Sequence, residues 1–151
     1  MDFLRLDPGA WWTASHIMRS YLRQGKVAQA REAVQKFSEN PLVQLSTSCM
    51  DGATPASTAR LARSNTDLML RDPDPEVRYW YAPDLIYCGH PDLAYELLRS
   101  AVVTGHYCAY DGLRNDSVFA PLRNDSQFAE ILTSAKQCRD SFLAERAKAA
   151  P

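Results

Sequence analysis

Two places in this chain set a cysteine beside a histidine. Cys88 and His90 lie two residues apart, as do His106 and Cys108. A thiolate nucleophile needs a base at hand and an acid to orient that base, and Asp92 and Asp111 stand close to the two pairs. The spacing argues against catalysis. Residues i and i+2 in a turn rarely point at one another, and nothing nearby builds an oxyanion hole. Cys49 and Cys138 add no CxxC, and the scatter of the four cysteines fits neither a zinc site nor a small disulfide framework. They read as four reduced, mostly buried thiols acting as small apolar side chains. That suits a reducing compartment, so the expected location is cytoplasmic. No catalytic residue, metal or cofactor is expected, and the chain does not read as an enzyme.

The whole chain is consistent with that reading. Its 151 residues are the length of one domain. A hydrophobic share of 46% and a charged share of 23% match ordinary globular usage and exclude a disordered or low-complexity chain. The net charge of −1 weakens any direct nucleic-acid role that works through bulk charge. No apolar run approaches the ~18 residues of a membrane helix. Asp2, Arg5 and Asp7 break the early apolar stretch, which therefore does not read as a secretory signal.

Regular punctuation cuts the chain into pieces of about one helix each. Pro8-Gly9, Gly25, Asn40-Pro41, Asp51-Gly52, Asp72 to Pro75, Gly89 to Pro91 and Gly105 mark the breaks. Strand signals are poor, and the segments carry helical spacing. Ala14, Ile17, Met18, Tyr21 and Leu22 make one stripe; Val27, Ala30, Val34 and Phe37 make the next. A weaker pair follows, with Leu42, Val43, Leu45 and Cys49 in one member and Ala59, Leu61, Leu68 and Leu70 in the other. Pro75 opens a helix carrying Tyr81, Ala82, Leu85 and Ile86, which Pro83 should kink or split. Pro91 and Asp92 open another, with Leu93, Ala94, Leu97, Leu98 and Ala101 inward. Phe128, Ile131, Leu132, Ala135, Cys138, Phe142 and Leu143 form the stripe of a long last helix. The expected fold is all-α, built of antiparallel helical hairpins.

Two of these hairpins share a pattern anchored on Gly25 and Gly89, 64 residues apart. Ile17 and Tyr21 precede the first glycine as Tyr81 and Leu85 precede the second, and Ala30, Val34 and Phe37 follow it as Ala94, Leu98 and Ala101 do. The glycine lets the chain turn, and the small alanine lets the second helix approach the first. With Pro41 closing the first copy, this pattern resembles the tetratricopeptide repeat family. The middle unit, about Leu42 to Arg71, departs from the motif, turning at Asp51-Gly52 and restarting at Pro55. The resemblance implies a curved stack of about three hairpins, at 11–41, 42–73 and 75–103, sealed by capping helices over 113–149 in a single domain spanning 1–151.

Both ends carry further signals. Phe3-Leu4-Arg5-Leu6-Asp7-Pro8 resembles the close of a preceding repeat helix, so the chain is expected to be excised from a longer protein. Near the other end, Leu113 to Ala120 recurs as Leu122 to Ala129, and each Asn-Asp-Ser offers an N-cap through Asp116 or Asp125. That tail resembles the one after repeat arrays in bacterial multidomain regulators, which implies a serine/threonine kinase or winged-helix transcription regulator as parent.

Repeats of this family bind peptides on a concave face lined by the first helix of each pair. Carried onto this chain, the partner-binding residues are Trp12, Ser15, Arg19, Leu22 and Arg23, with Glu76, Tyr79, Pro83, Ile86 and Tyr87. An arginine pair beside a tryptophan suits an acidic or carboxylate-bearing peptide. The expected role is a non-catalytic scaffold for a protein or peptide partner, with homodimerisation through repeat ends as a structural option. The alternative is a small-ligand sensor whose pocket is lined by the aromatic cluster around Tyr79 to Tyr87, joined by Tyr95, Tyr107 and Tyr110.

Overall fold

A computed structural model describes residues 11–149, and its described elements are all helical. Eight α-helices run in order: α1 Trp11–Arg23, α2 Val27–Val34, α3 Pro41–Met50, α4 Pro55–Arg71, α5 Pro75–Tyr87, α6 Pro91–Arg99, α7 Tyr110–Asn115 and α8 Ser126–Ala149. Short 3-10 turns at Gln35–Phe37 and Ser117–Leu122 and a π-helical turn at Ser100–Thr104 complete the chain. The expected closing segment at residues 1–8 lies outside the described residues.

Prolines and short polar caps start these helices. Pro41, Pro55, Pro75 and Pro91 each occupy the first turn, where a missing amide costs nothing. Asn40, Thr54 and Asp74 accept hydrogen bonds from the free amides of Leu42, Ser57 and Glu76. Pro41 thus opens α3 rather than closing the unit before it. Gly25, Gly52 and Gly89, at φ +70°, +87° and +76°, reverse the chain within α1–α2, α3–α4 and α5–α6. These three pairs pack as helical hairpins. The middle unit, whose sequence lacks the repeat pattern, uses the same left-handed glycine as the outer two.

The main core joins α3 to α8, and a smaller one joins α1, α2 and α3. Tyr81 sits at the centre of the main core with no exposed surface. Its hydroxyl accepts from Asn65 Nδ2 at 2.9 Å and donates to the Leu42 carbonyl at 3.3 Å. Asn65 also donates to the Pro41 carbonyl at 2.8 Å. One buried polar knot therefore ties α3, α4 and α5, with its donors paired as a low-dielectric interior requires.

Several sequence expectations are corrected. The inward face of α4 is Thr58, Ala62, Asn65, Thr66 and Met69, whereas Leu68 is 48% exposed and Leu61 and Leu70 only half-buried. Hydrophobicity misleads there because the inward polar groups find partners: Thr66 donates to the Ala62 carbonyl within the helix, and Thr58 reaches across to His90. On α1 the deepest residues include Ser15 and Arg19 beside Ala14 and Met18, while Ile17, Tyr21 and Leu22 are half-buried. Pro83 does not split α5, which runs unbroken through it. Phe142 and Leu143 are exposed because α8 outruns the body of the protein.

The largest correction concerns the cysteines. Cys49 pairs with Cys88 and Cys108 with Cys138, so none of the four is a free thiol. The α3 and α5 helices place Cys49 and Cys88 with Cα atoms 5.5 Å apart, and Cys108 meets α8 with Cα atoms 5.2 Å apart. Both separations suit a disulfide. The expectation of reduced thiols fails because sequence separations of 39 and 30 carry no signal of this proximity. Among the described residues, no helix is long and apolar enough to cross a membrane.

Candidate functional site

The α1 and α5 helices run close enough for side chains to join them directly. Arg19 donates from Nε and Nη2 to both carboxylate oxygens of Asp84, at 2.9 and 2.6 Å. The two side chains are 4% and 3% exposed, so the pair is shielded from water. One turn along α1, Arg23 makes the same two-pronged contact with Asp116, at 3.0 and 2.6 Å. Asp116 also caps the Ser117–Leu122 turn by accepting from the Val118 amide at 3.0 Å. Burial pushes the Asp116 carboxyl up. The Arg23 bond, the Val118 amide and the nearby Arg123 charge outweigh it and hold it below the usual value.

Between α1, α5 and this turn lies a cavity of about 330 Å³. Leu22, Pro83, Ile86, Val118 and Pro121 supply apolar wall, and Arg19, Arg23, Asp84, Tyr87 and Ser117 supply polar groups. The volume is at the lower end of known ligand cavities. Tyr87, 41% exposed, is the only aromatic residue in the wall. Arg19 Nη1 is buried and has no hydrogen-bond partner.

Six of the ten residues expected on a binding face meet here: Arg19, Leu22, Arg23, Pro83, Ile86 and Tyr87. The other four do not line the cavity. Ser15 is buried and donates to the Trp11 carbonyl at 3.0 Å. Tyr79 is buried against Tyr107 and Phe119, and burial pushes its hydroxyl up to about 12. Glu76 accepts from Trp80 Nε1 at 2.9 Å. Trp12 packs its ring edge-on against His16, which in turn meets Trp80, and the Arg19 guanidinium lies 5.6 Å from the Trp12 ring centre. Burial first, and then the Arg19 charge, lower the His16 pKa.

Sequence reasoning missed Asp84, Ser117, Val118 and Pro121. No local pattern links Asp84 to Arg19 across 65 residues, or Asp116 to Arg23 across 93. The Asn-Asp-Ser cap was a partial signal, since it placed Asp116 at a helix start but not against Arg23. The third side of the cavity comes from the Ser117–Leu122 turn.

The aromatic cluster fills space instead of surrounding it. Tyr79, Tyr81, Tyr95 and Tyr110 are buried core residues. The Cys–His neighbourhoods hold no thiolate in this disulfide-bonded state, and His90 Nε2 lies 2.9 Å from Thr58 Oγ1. Among the described residues, no group of three His, Cys, Asp or Glu could hold a metal ion. Comparison with protein-family models, with curated proteins and with solved structures finds no match.

Proposed function

We propose that this chain is a non-catalytic binding module of stacked tetratricopeptide-like hairpins that receives a short peptide segment of a partner protein between α1 and α5. The observation that carries the reading is the cavity itself. Residues from the first helix of two hairpins converge on one apolar hollow, with Tyr87 at its edge as a rigid aromatic anchor. Three walls and a small volume suit one or two inserted side chains better than a large ligand. The paired cysteines support an oxidising compartment as the place of action, in place of the cytoplasmic expectation.

Selection of a phage-displayed library of random seven-residue peptides tests the reading. Ser117 is exposed at the cavity, so Ser117→Trp fills the hollow without disturbing the core. The expected outcome is a set of enriched peptides whose affinity falls at least about tenfold on Ser117→Trp and several-fold on Tyr87→Ala. No enrichment, or enrichment that Ser117→Trp leaves intact, refutes the groove as a binding site.

A further inference from the structure

The groove carries its own counter-ions. Its wall holds two guanidinium groups, and each is bonded on its Nε–Nη2 edge by a carboxylate of the same chain, Asp84 for Arg19 and Asp116 for Arg23. Both oxygens of Asp84 are occupied by Arg19, and both oxygens of Asp116 by Arg23. Two positive and two negative charges leave the groove neutral. Arg123 binds the Asp116 main-chain carbonyl at 2.9 Å, is exposed, and is not part of the cavity wall.

This balance changes what the arginines can do for a partner. An entering carboxylate would shed its water against apolar wall, and no uncompensated cation awaits it, so its burial is costly. A cationic partner fares no better, because each carboxylate is already neutralised by its arginine. What the groove offers a partner is apolar wall, supplied by Leu22, Pro83, Ile86, Val118 and Pro121. An aliphatic or prolyl side chain of an uncharged segment meets that wall without importing charge.

From this charge complementarity we infer that Asp84 and Asp116 set the selectivity of the groove, so that it takes an uncharged, apolar peptide segment of a partner and rejects an acidic one. The inference rests on the peptide-groove reading and replaces the acidic partner that the arginine pair alone implied. Asp116 is the accessible half of the device, since its pair with Arg23 is partly exposed whereas Arg19–Asp84 is sealed.

The same displayed library separates the two claims. On the wild-type protein, cavity-dependent peptides are expected to be uncharged and rich in Leu, Val, Ile and Pro. Asp116→Asn keeps a side-chain oxygen to cap the Val118 amide while releasing the Arg23 charge. Selection on that variant is expected to shift enrichment toward Asp- and Glu-containing peptides, with about a tenfold gain in their affinity relative to the wild type. Arg23→Gln/Asp116→Asn removes the released cation and should abolish the gain. Cavity-dependent acidic peptides on the wild type, or an unchanged preference on Asp116→Asn, overturn the inference while leaving the groove reading in place. Absence of any peptide sensitive to Ser117→Trp overturns both.

Discussion

Removing one charge from the Arg19–Asp84 pair should cost this protein a large part of its stability. The pair joins α1 to α5 across 65 residues through two hydrogen bonds, and neither side chain is more than 4% exposed. Asp84→Asn changes almost no volume but leaves the guanidinium buried without a counter-charge. Breaking a buried pair in this way costs about 3–5 kcal/mol. A domain of this size is stable by only about 5–15 kcal/mol, so the loss is a substantial fraction of the whole. Urea unfolding followed by circular dichroism measures it. With an m-value of about 2 kcal/mol/M, the midpoint should fall by roughly 2 M. Calorimetry should show a drop of roughly 10 °C in Tm. The double variant Arg19→Met/Asp84→Leu fills the same space with apolar groups. It should recover most or all of the loss, because no buried charge remains to be compensated. The reasoning is refuted if Asp84→Asn costs under about 1 kcal/mol with the m-value unchanged, since the pair would then be solvated rather than sealed. It is equally refuted if the double variant is no more stable than Asp84→Asn.

The disulfides and one turn offer further tests. Closing a loop across the 39-residue separation of Cys49 and Cys88 stabilises the fold by about 4 kcal/mol on chain-entropy grounds, and the 30-residue separation of Cys108 and Cys138 by nearly as much. Reduction of both should therefore lower Tm by roughly 15–30 °C; four titratable thiols in denaturant without reductant would overturn the pairing. Gly25 and Gly89 share the left-handed conformation, but an added Cβ meets nothing within 4 Å at Gly25 and lies 2.7 Å from Pro55 Cγ at Gly89. Gly25→Ala should cost about 1 kcal/mol and Gly89→Ala distinctly more, about 2 kcal/mol or above, by urea unfolding; equal costs would show that α4 does not press on the α5–α6 turn.

Much of the architecture was legible along the chain because its signals are local. Prolines at helix starts, short polar caps and turn glycines act within four or five residues, so Pro55, Pro75 and Pro91 marked their helices correctly. Gly25 and Gly89 marked true reversals, and the glycine of Asp51-Gly52 proved to make the same reversal in the unit whose pattern is weakest. Six of the residues expected on a binding face line one cavity for the same reason: helical spacing puts Leu22 and Arg23 beside Arg19, and Ile86 and Tyr87 beside Pro83, once the two helices face each other.

What the sequence by itself determined was where helices begin, turn and end, because those choices rest on backbone dihedrals and hydrogen bonds between near neighbours. Only the tertiary structure decided which distant groups meet. It paired four scattered cysteines, sank Asn65 and Thr58 where leucines were expected, and set Asp84 and Asp116 against the two groove arginines. Each of these depends on charges, sulfurs or amides brought together across 16 to 93 residues. Such contacts form only when distant segments are brought side by side, and a linear pattern of residue types holds no record of that meeting.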